Sequence, residues 1–219
     1  VWWLKETQSV CPNCSTGCTV NVDQNDDKVY RLTPHPNPMA QGHFMCDEGR
    51  FGWKYLHSDQ RLTFPVRRKN GEVRSRDWDD ILPSLDKALT KALTKAGDRC
   101  AAIFSPWMTC EEAYMLASYL HAHSPKVRMA LGPVRIEGED DRYPKDFHGR
   151  VVEPVKFTIR SEKAPNRRGV SMVLDYFGAR STFGDVVAQA AAGGIEMLYA
   201  VGGDPAKASR APSCTPMSR

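Results

Sequence analysis

Apolar and polar positions alternate along residues 19–32, TVNVDQNDDKVYRL, on either side of a polar turn, which is the pattern of a two-stranded hairpin. A second alternating stretch, LTFPVRRKNGEVRSRDW, turns at Asn70-Gly71, a pair that accepts the left-handed backbone of a tight hairpin. At Asp77 the period changes. Ile81, Leu82, Leu85, Ala88, Leu89, Ala92 and Leu93 recur at helical spacing, with Asp79 and Asp80 in the first turn and Gly97 past the end. Further on, the apolar run AAIFS, a helix opened by Thr109 with Glu111 and Glu112 early in it, and the run VRMAL spell strand, helix, strand, a parallel α/β unit. Residues 132–166 carry four prolines, many charges and little period, and loops of that length tend to be functional or to lie across another surface. NRRGVSMVLDYFG and FGDVVAQAAAGG then predict two helices, the first ended by Gly178, and IEMLYAVGGDP predicts a strand that stops at a Gly-rich turn. The expected fold class is α/β, divided into a β-rich module over 1–76, an α/β domain over 77–205 and a disordered or truncated tail over 206–219.

Composition changes this picture little. The chain has 30 basic and 26 acidic side chains, a formal charge of +4, and the two signs interleave, which argues against a nucleic-acid or membrane surface. No apolar run approaches the roughly 20 residues a bilayer span needs. Residues 1–10 show no basic n-region, apolar h-region or twin-arginine pair, so a cytoplasmic location is expected, and the absence of an initiator Met suggests a start inside a longer chain. Trp2 and Trp3 suit either simple packing or a docking surface.

Cysteine usage narrows the chemistry. Seven cysteines in a chain with a normal core do not make a secreted disulfide scaffold. Cys100 reads as a small buried hydrophobe, and Cys110 and Cys214 as bystanders. The other four form a set: Cys11, Cys14 and Cys18 in CPNCSTGC, then Cys46 in FMCDEGRFG. Zinc sites pair ligands as two knuckles, whereas here three come from one tight loop and one arrives alone. That arrangement suits the corners of a 4Fe-4S cubane, with zinc as the alternative. Gly17 lets the backbone approach cluster sulfurs, and Arg31, Arg50 and Lys54 are candidates to offset the anionic cluster. VGGDP and GRFG are too short to be phosphate loops, and six scattered histidines suggest no site.

CPNCSTGCTVNV, KVYRLTP and MCDEGRFG together resemble the 4Fe-4S module that opens the molybdopterin oxidoreductase family. RDWDDILPSLDKAL, SPWMTCEEAYMLASYL, PNRRGVSMVL and YAVGGDP resemble later segments of the same family. Within it, CDEGRFG is most similar to the large iron-sulfur subunit of NADH-quinone oxidoreductase, respiratory complex I. Molybdenum members such as formate dehydrogenase and periplasmic nitrate reductase carry Lys two residues after the fourth cysteine; this chain has Glu48. An ionised acid there cannot donate to a pterin and adds negative charge between two anionic groups.

The resemblance implies a partial doubly wound, Rossmann-like domain after the cluster module, one 4Fe-4S cluster on Cys11, Cys14, Cys18 and Cys46, no molybdopterin and no catalytic residue of the chain's own. The implied role is electron transfer or structural support among the other subunits of an NADH dehydrogenase-like complex, with only indirect membrane association. Two departures bear on this: the ligands of an N-terminal 2Fe-2S domain are absent, and Asp204 stands where the family's turn shows Asn. A fragment of a formate dehydrogenase- or nitrate reductase-type enzyme and a zinc-stabilised interaction module are the alternatives.

Overall fold

A computed structural model describes residues 3–178 and 180–202 of the chain. Trp2, Asp204, Cys214 and the 206–219 tail fall outside them. The chain is a mixed α/β protein that divides into two compact units, and the units are not consecutive in sequence. The first holds the residues up to Ile81 together with Val134–Pro165; the second holds Leu82–Pro133 and continues from Asn166. The expected division at 76/77 is therefore close to the first crossing, but residues 134–165, assigned from the sequence to the second domain, belong to the first unit.

In the first unit, β1 (Lys5–Val10), β2 (Thr19–Asn25) and β3 (Lys28–Pro34) form an antiparallel sheet in the order β1-β2-β3. The β2–β3 hairpin turns at Asp26 and Asp27, with φ of 49° and 58°, the left-handed pair that matches strand twist. Asp23 is 3% exposed and is paired with Arg31 directly opposite, next to a register shift in this hairpin. Arg31 is thereby committed to Asp23, which removes it from the sequence-derived candidates for balancing a cluster. A short helix, α1 (Asp47–Phe51), follows, then a 3-10 turn (Gly52–His57) and the hairpin β4 (Val66–Lys69) and β5 (Glu72–Ser75), which folds at Asn70 and Gly71 as expected.

The second unit begins within α2 (Trp78–Ala96) and contains β6 (Cys100–Phe104), α3 (Cys110–His123) and β7 (Arg128–Leu131). Thr109 opens α3 with a capping box: its Oγ accepts from Glu112 N at 3.1 Å, and its own N donates to the Glu112 carboxylate at 2.9 Å. Between these elements and the return of the chain at Asn166, the first unit gains β8 (Asp141–Tyr143) and β9 (Phe157–Ile159), an antiparallel pair. The second unit resumes with α4 (Arg167–Phe177), β10 (Arg180–Ser181), α5 (Phe183–Ala191) and β11 (Met197–Ala200).

Its four strands pair in parallel in the order β10-β7-β6-β11. Side chains on β6 and β7 alternate between two cores. Cys100, Ala102, Phe104 and Met129 pack with Leu93 of α2, Ala117 and Leu120 of α3 and Val170 and Leu174 of α4. Ala101, Ile103 and Ala130 pack with Val186 of α5. Helices thus cover both faces, which a parallel sheet requires because neither face can meet water. No helix among the described residues is long and apolar enough to cross a membrane.

Candidate metal centre

Cys11 follows the last residue of β1, and its N donates to Cys18 O at 2.9 Å, closing the loop that carries three of the four sequence-predicted cysteines. Gly17 adopts a φ of 74°, the left-handed conformation that lets so short a loop return on itself. Cys11, Cys14 and Cys18 are buried, at 5%, 6% and 5% exposure. The fourth thiol arrives on α1. Cys46 is the N-cap of that helix, and its Sγ accepts from Gly49 N at 3.4 Å.

Gly49 shows how little space remains between two of the thiols. A Cβ on it would stand 3.3 Å from Cys11 Sγ, 3.6 Å from Cys46 Sγ and 3.2 Å from the Met45 methyl. A buried polar clamp fixes the loop leading toward Cys46. Gln41, 0% exposed, accepts from Thr19 N at 3.1 Å and donates to Thr19 O at 2.8 Å and His35 O at 2.7 Å. Thr19 directly follows Cys18, so this clamp joins the two halves of the ligand set.

Residues from 134–165 strap this loop. Ser15 N donates to Glu162 O at 3.0 Å, Thr16 Oγ1 donates to Thr158 O at 2.8 Å, and Arg160 N donates to Thr16 Oγ1 at 3.2 Å. Phe157, 6% exposed, packs among Cys11, Cys18 and Val20 and stacks on Phe44 with ring centroids 5.9 Å apart. From the same segment, Lys163 Nζ reaches Glu48 Oε2 at 2.8 Å. A cavity of about 500 Å³ opens beside Cys46, bordered by Glu48, Tyr143, Phe157, Arg160 and Lys163.

The electrostatics describe what such a pocket accepts. Burial pushes the Cys11 thiol up to about 11, with repulsion from Cys14, Cys46 and Glu48 adding to it against a hydrogen bond from the Asn13 backbone. Cys18 is pushed up to about 12, by burial first and then by Cys11, Cys14 and Cys46. Cys11 and Cys18 lie in the fields of the neighbouring thiols, so ionising these two requires positive charge beside them, as iron or zinc would supply. Among the described residues, no three His, Cys, Asp or Glu side chains close around the space of a single ion. The donor chemistry of four thiols fits an iron-sulfur cluster.

The four predicted ligands share the first unit, with Cys11 and Cys18 in the fields of Cys14 and Cys46. Cys100, at 1% exposure, belongs to the second unit's core, and Cys110 sits on α3, where Asn166 Nδ2 lies 3.5 Å from its Sγ. Sequence reasoning missed Gln41, Gly49, Phe157 and Lys163. Gly49 stands inside the CDEGRFG segment, where its spacing from Cys46 was available as a signal; the other three act through distant parts of the chain and left none.

Fold and site define a small β module built around a four-cysteine pocket. Residues 4–58 match the Molybdopterin oxidoreductase Fe4S4 domain, and the match supports a 4Fe-4S cluster. Over 114 residues the chain is 35% identical to proteins named "Putative formate dehydrogenase" in Staphylococcus aureus strains Mu50, RF122 and MSSA476. The shared region covers 52% of this chain and 12% of each relative, so the chain spans a small part of their length.

Proposed function

We propose that Cys11, Cys14, Cys18 and Cys46 hold one 4Fe-4S cluster and that the chain is the electron-transfer or structural iron-sulfur part of a larger oxidoreductase. Two of these thiols flank Gly49, and all four lie in a segment that matches an Fe4S4 domain, which carries the reading. When bound, the cluster accepts and releases single electrons. The protein's part is to place the thiols on one loop and one helix N-terminus, exclude water with Phe157, and leave Cys46 at the rim of the cavity. The second unit, with its parallel sheet, is read as the opening portion of a Rossmann-like domain.

Two assemblies fit such a part. Glu48 supports a pterin-free iron-sulfur subunit of an NADH dehydrogenase-like respiratory complex on the cytoplasmic side, partnered by the other subunits, because an ionised acid stands where the resemblance places a donating Lys. The similarity to Staphylococcus proteins named for formate dehydrogenase supports a piece of a molybdopterin-dependent enzyme. Elemental analysis of protein from its native host separates them: near-stoichiometric molybdenum or tungsten refutes the first.

The cluster itself is tested by anaerobic purification. Brown protein with four irons and acid-labile sulfide per chain is expected. Cys46→Ser should lose or damage the cluster, and Cys110→Ser should leave it intact. Stoichiometric zinc without iron would end the cluster reading.

A further inference from the structure

A lysine rarely lies with its ammonium withdrawn from water unless something holds the charge there. Lys163 has a side chain only 14% exposed; its Nζ stands 2.8 Å from Glu48 Oε2 and 3.9 Å from Glu137 Oε2. Burial works against its charge, but the Glu48 hydrogen bond and the fields of Glu48, Cys14 and Glu137 outweigh that and raise its affinity for the proton. The ammonium therefore lies in the field of a predicted cluster ligand. Its placement is fixed by the backbone: Lys163 N donates to Arg135 O at 2.8 Å, and its neighbour Glu162 accepts from Ser15 N, inside the cysteine loop, at 3.0 Å.

The two ends of the pair are not equally wet. Glu48 is 58% exposed while Lys163 is 14% exposed, so water screens the anion more than the cation. Both ends reach the pocket: the ammonium lies in the field of Cys14, and the Glu48 carboxylate adds repulsion at Cys11. Adding an electron to a cluster that is already anionic is favoured by the ammonium and opposed by the carboxylate, and each effect grows as the surroundings become drier.

We propose that Lys163 is a positioning residue that supplies the fixed cation at the Cys14 side of the cluster, and that the Glu48–Lys163 pair sets the cluster's reduction potential. The inference rests on the cluster reading above. It assigns the strap 134–165 a role in redox poise as well as in packing, and it makes Glu48 one half of a charge device.

The test is a redox titration of the full chain, purified anaerobically, with the reduced cluster followed by electron paramagnetic resonance. Lys163→Gln should lower the potential by about 59 mV, a tenfold change in the reduced-to-oxidised ratio for a one-electron couple. Lys163→Arg should restore it, and Glu48→Gln, which removes the anion and leaves the cation, should raise it. A structural role alone would move Lys163→Gln and Glu48→Gln in the same direction, since each breaks the same pair. Opposite shifts support the inference; shifts of one sign, or potentials that stay within a twofold ratio of the parent, overturn it while the cluster reading stands. A parent protein with no iron-sulfur signal overturns both. Should Lys163→Gln fail to assemble a cluster, the Glu48→Gln and Lys163→Arg potentials still decide.

Discussion

Replacing Gln41 with Ala should unfasten the metal centre from a position that binds no metal. The side chain is 0% exposed and makes three hydrogen bonds, to Thr19 N, Thr19 O and His35 O. At about 1 kcal/mol net for each bond, with a further contribution from backbone groups left unpaired in a dry site, the loss is about 3–4 kcal/mol. A urea dependence of about 2–3 kcal/mol per molar converts this into a fall in the unfolding midpoint of about 1–2 M. Urea titrations followed by far-ultraviolet circular dichroism measure it. Gln41→Met, which keeps the length and removes all the polar atoms, separates hydrogen bonding from volume: it should be at least as unstable as Ala. A midpoint shift below about 0.3 M for either variant, or a Met variant matching the parent, would show that the clamp does not hold the loops as argued.

Gly49→Ala places its Cβ 3.3 Å from Cys11 Sγ and 3.2 Å from the Met45 methyl, so iron content per chain should drop even though Ala suits a helix better; full iron loading would contradict the tight fit. Gly169→Ala puts a Cβ 2.2 Å from Asn166 Oδ1 and 2.5 Å from Cys110 Sγ at the start of α4, and a loss of about 2 kcal/mol or more is expected in denaturant titrations, partly relieved by pairing it with Cys110→Ala. Asp140 is held down to about 2 from its usual 3.8, first by the Ser161 N–H, then by Arg160 and the Ser161 hydroxyl. Its stabilising contribution is therefore complete above its unfolded value of 3.8 and lost as pH falls toward about 2. Asp140→Asn should accordingly exchange the amides of residues 134–165 faster than the parent at neutral pH, with the difference gone near pH 2.

The elements that could be read from the sequence are those whose signals are local. The β4–β5 turn needed left-handed residues and had Asn70-Gly71; α3 needed a capping box and had Thr109 and Glu112; α4 ended on Gly178 with φ of 62°. The four cysteines were readable because two of their spacings lie within one loop. β1 was not, since all six of its residues are exposed and it carries no alternating apolar face; pairing with β2 places it. β8 and β9 have three residues each, too few to show a period, and they owe their order to each other and to hydrogen bonds from the cysteine loop. The length of 132–166 suggested that it lies across another surface, but not which one. Arg31 looked available for the cluster because nothing in its neighbourhood announces that buried Asp23, on the opposite strand, engages it.

The order in which this chain is made differs from the order in which its first unit can be completed. Lys163 follows Glu48 by 115 residues. At a synthesis rate of about 5–20 residues per second, the ribosome needs about 6 to 23 s to deliver the strap after the last of the four thiols has been polymerised. For that interval the nascent chain presents a cysteine loop without Phe157 against it and without the Lys163 ammonium beside Glu48, a set of thiols open to whatever delivers iron and sulfide and equally to oxidants. A stop codon between residues 47 and 134 would yield a polypeptide with all four cysteines and no strap, so the presence of the ligands in a truncated product would not guarantee the finished site.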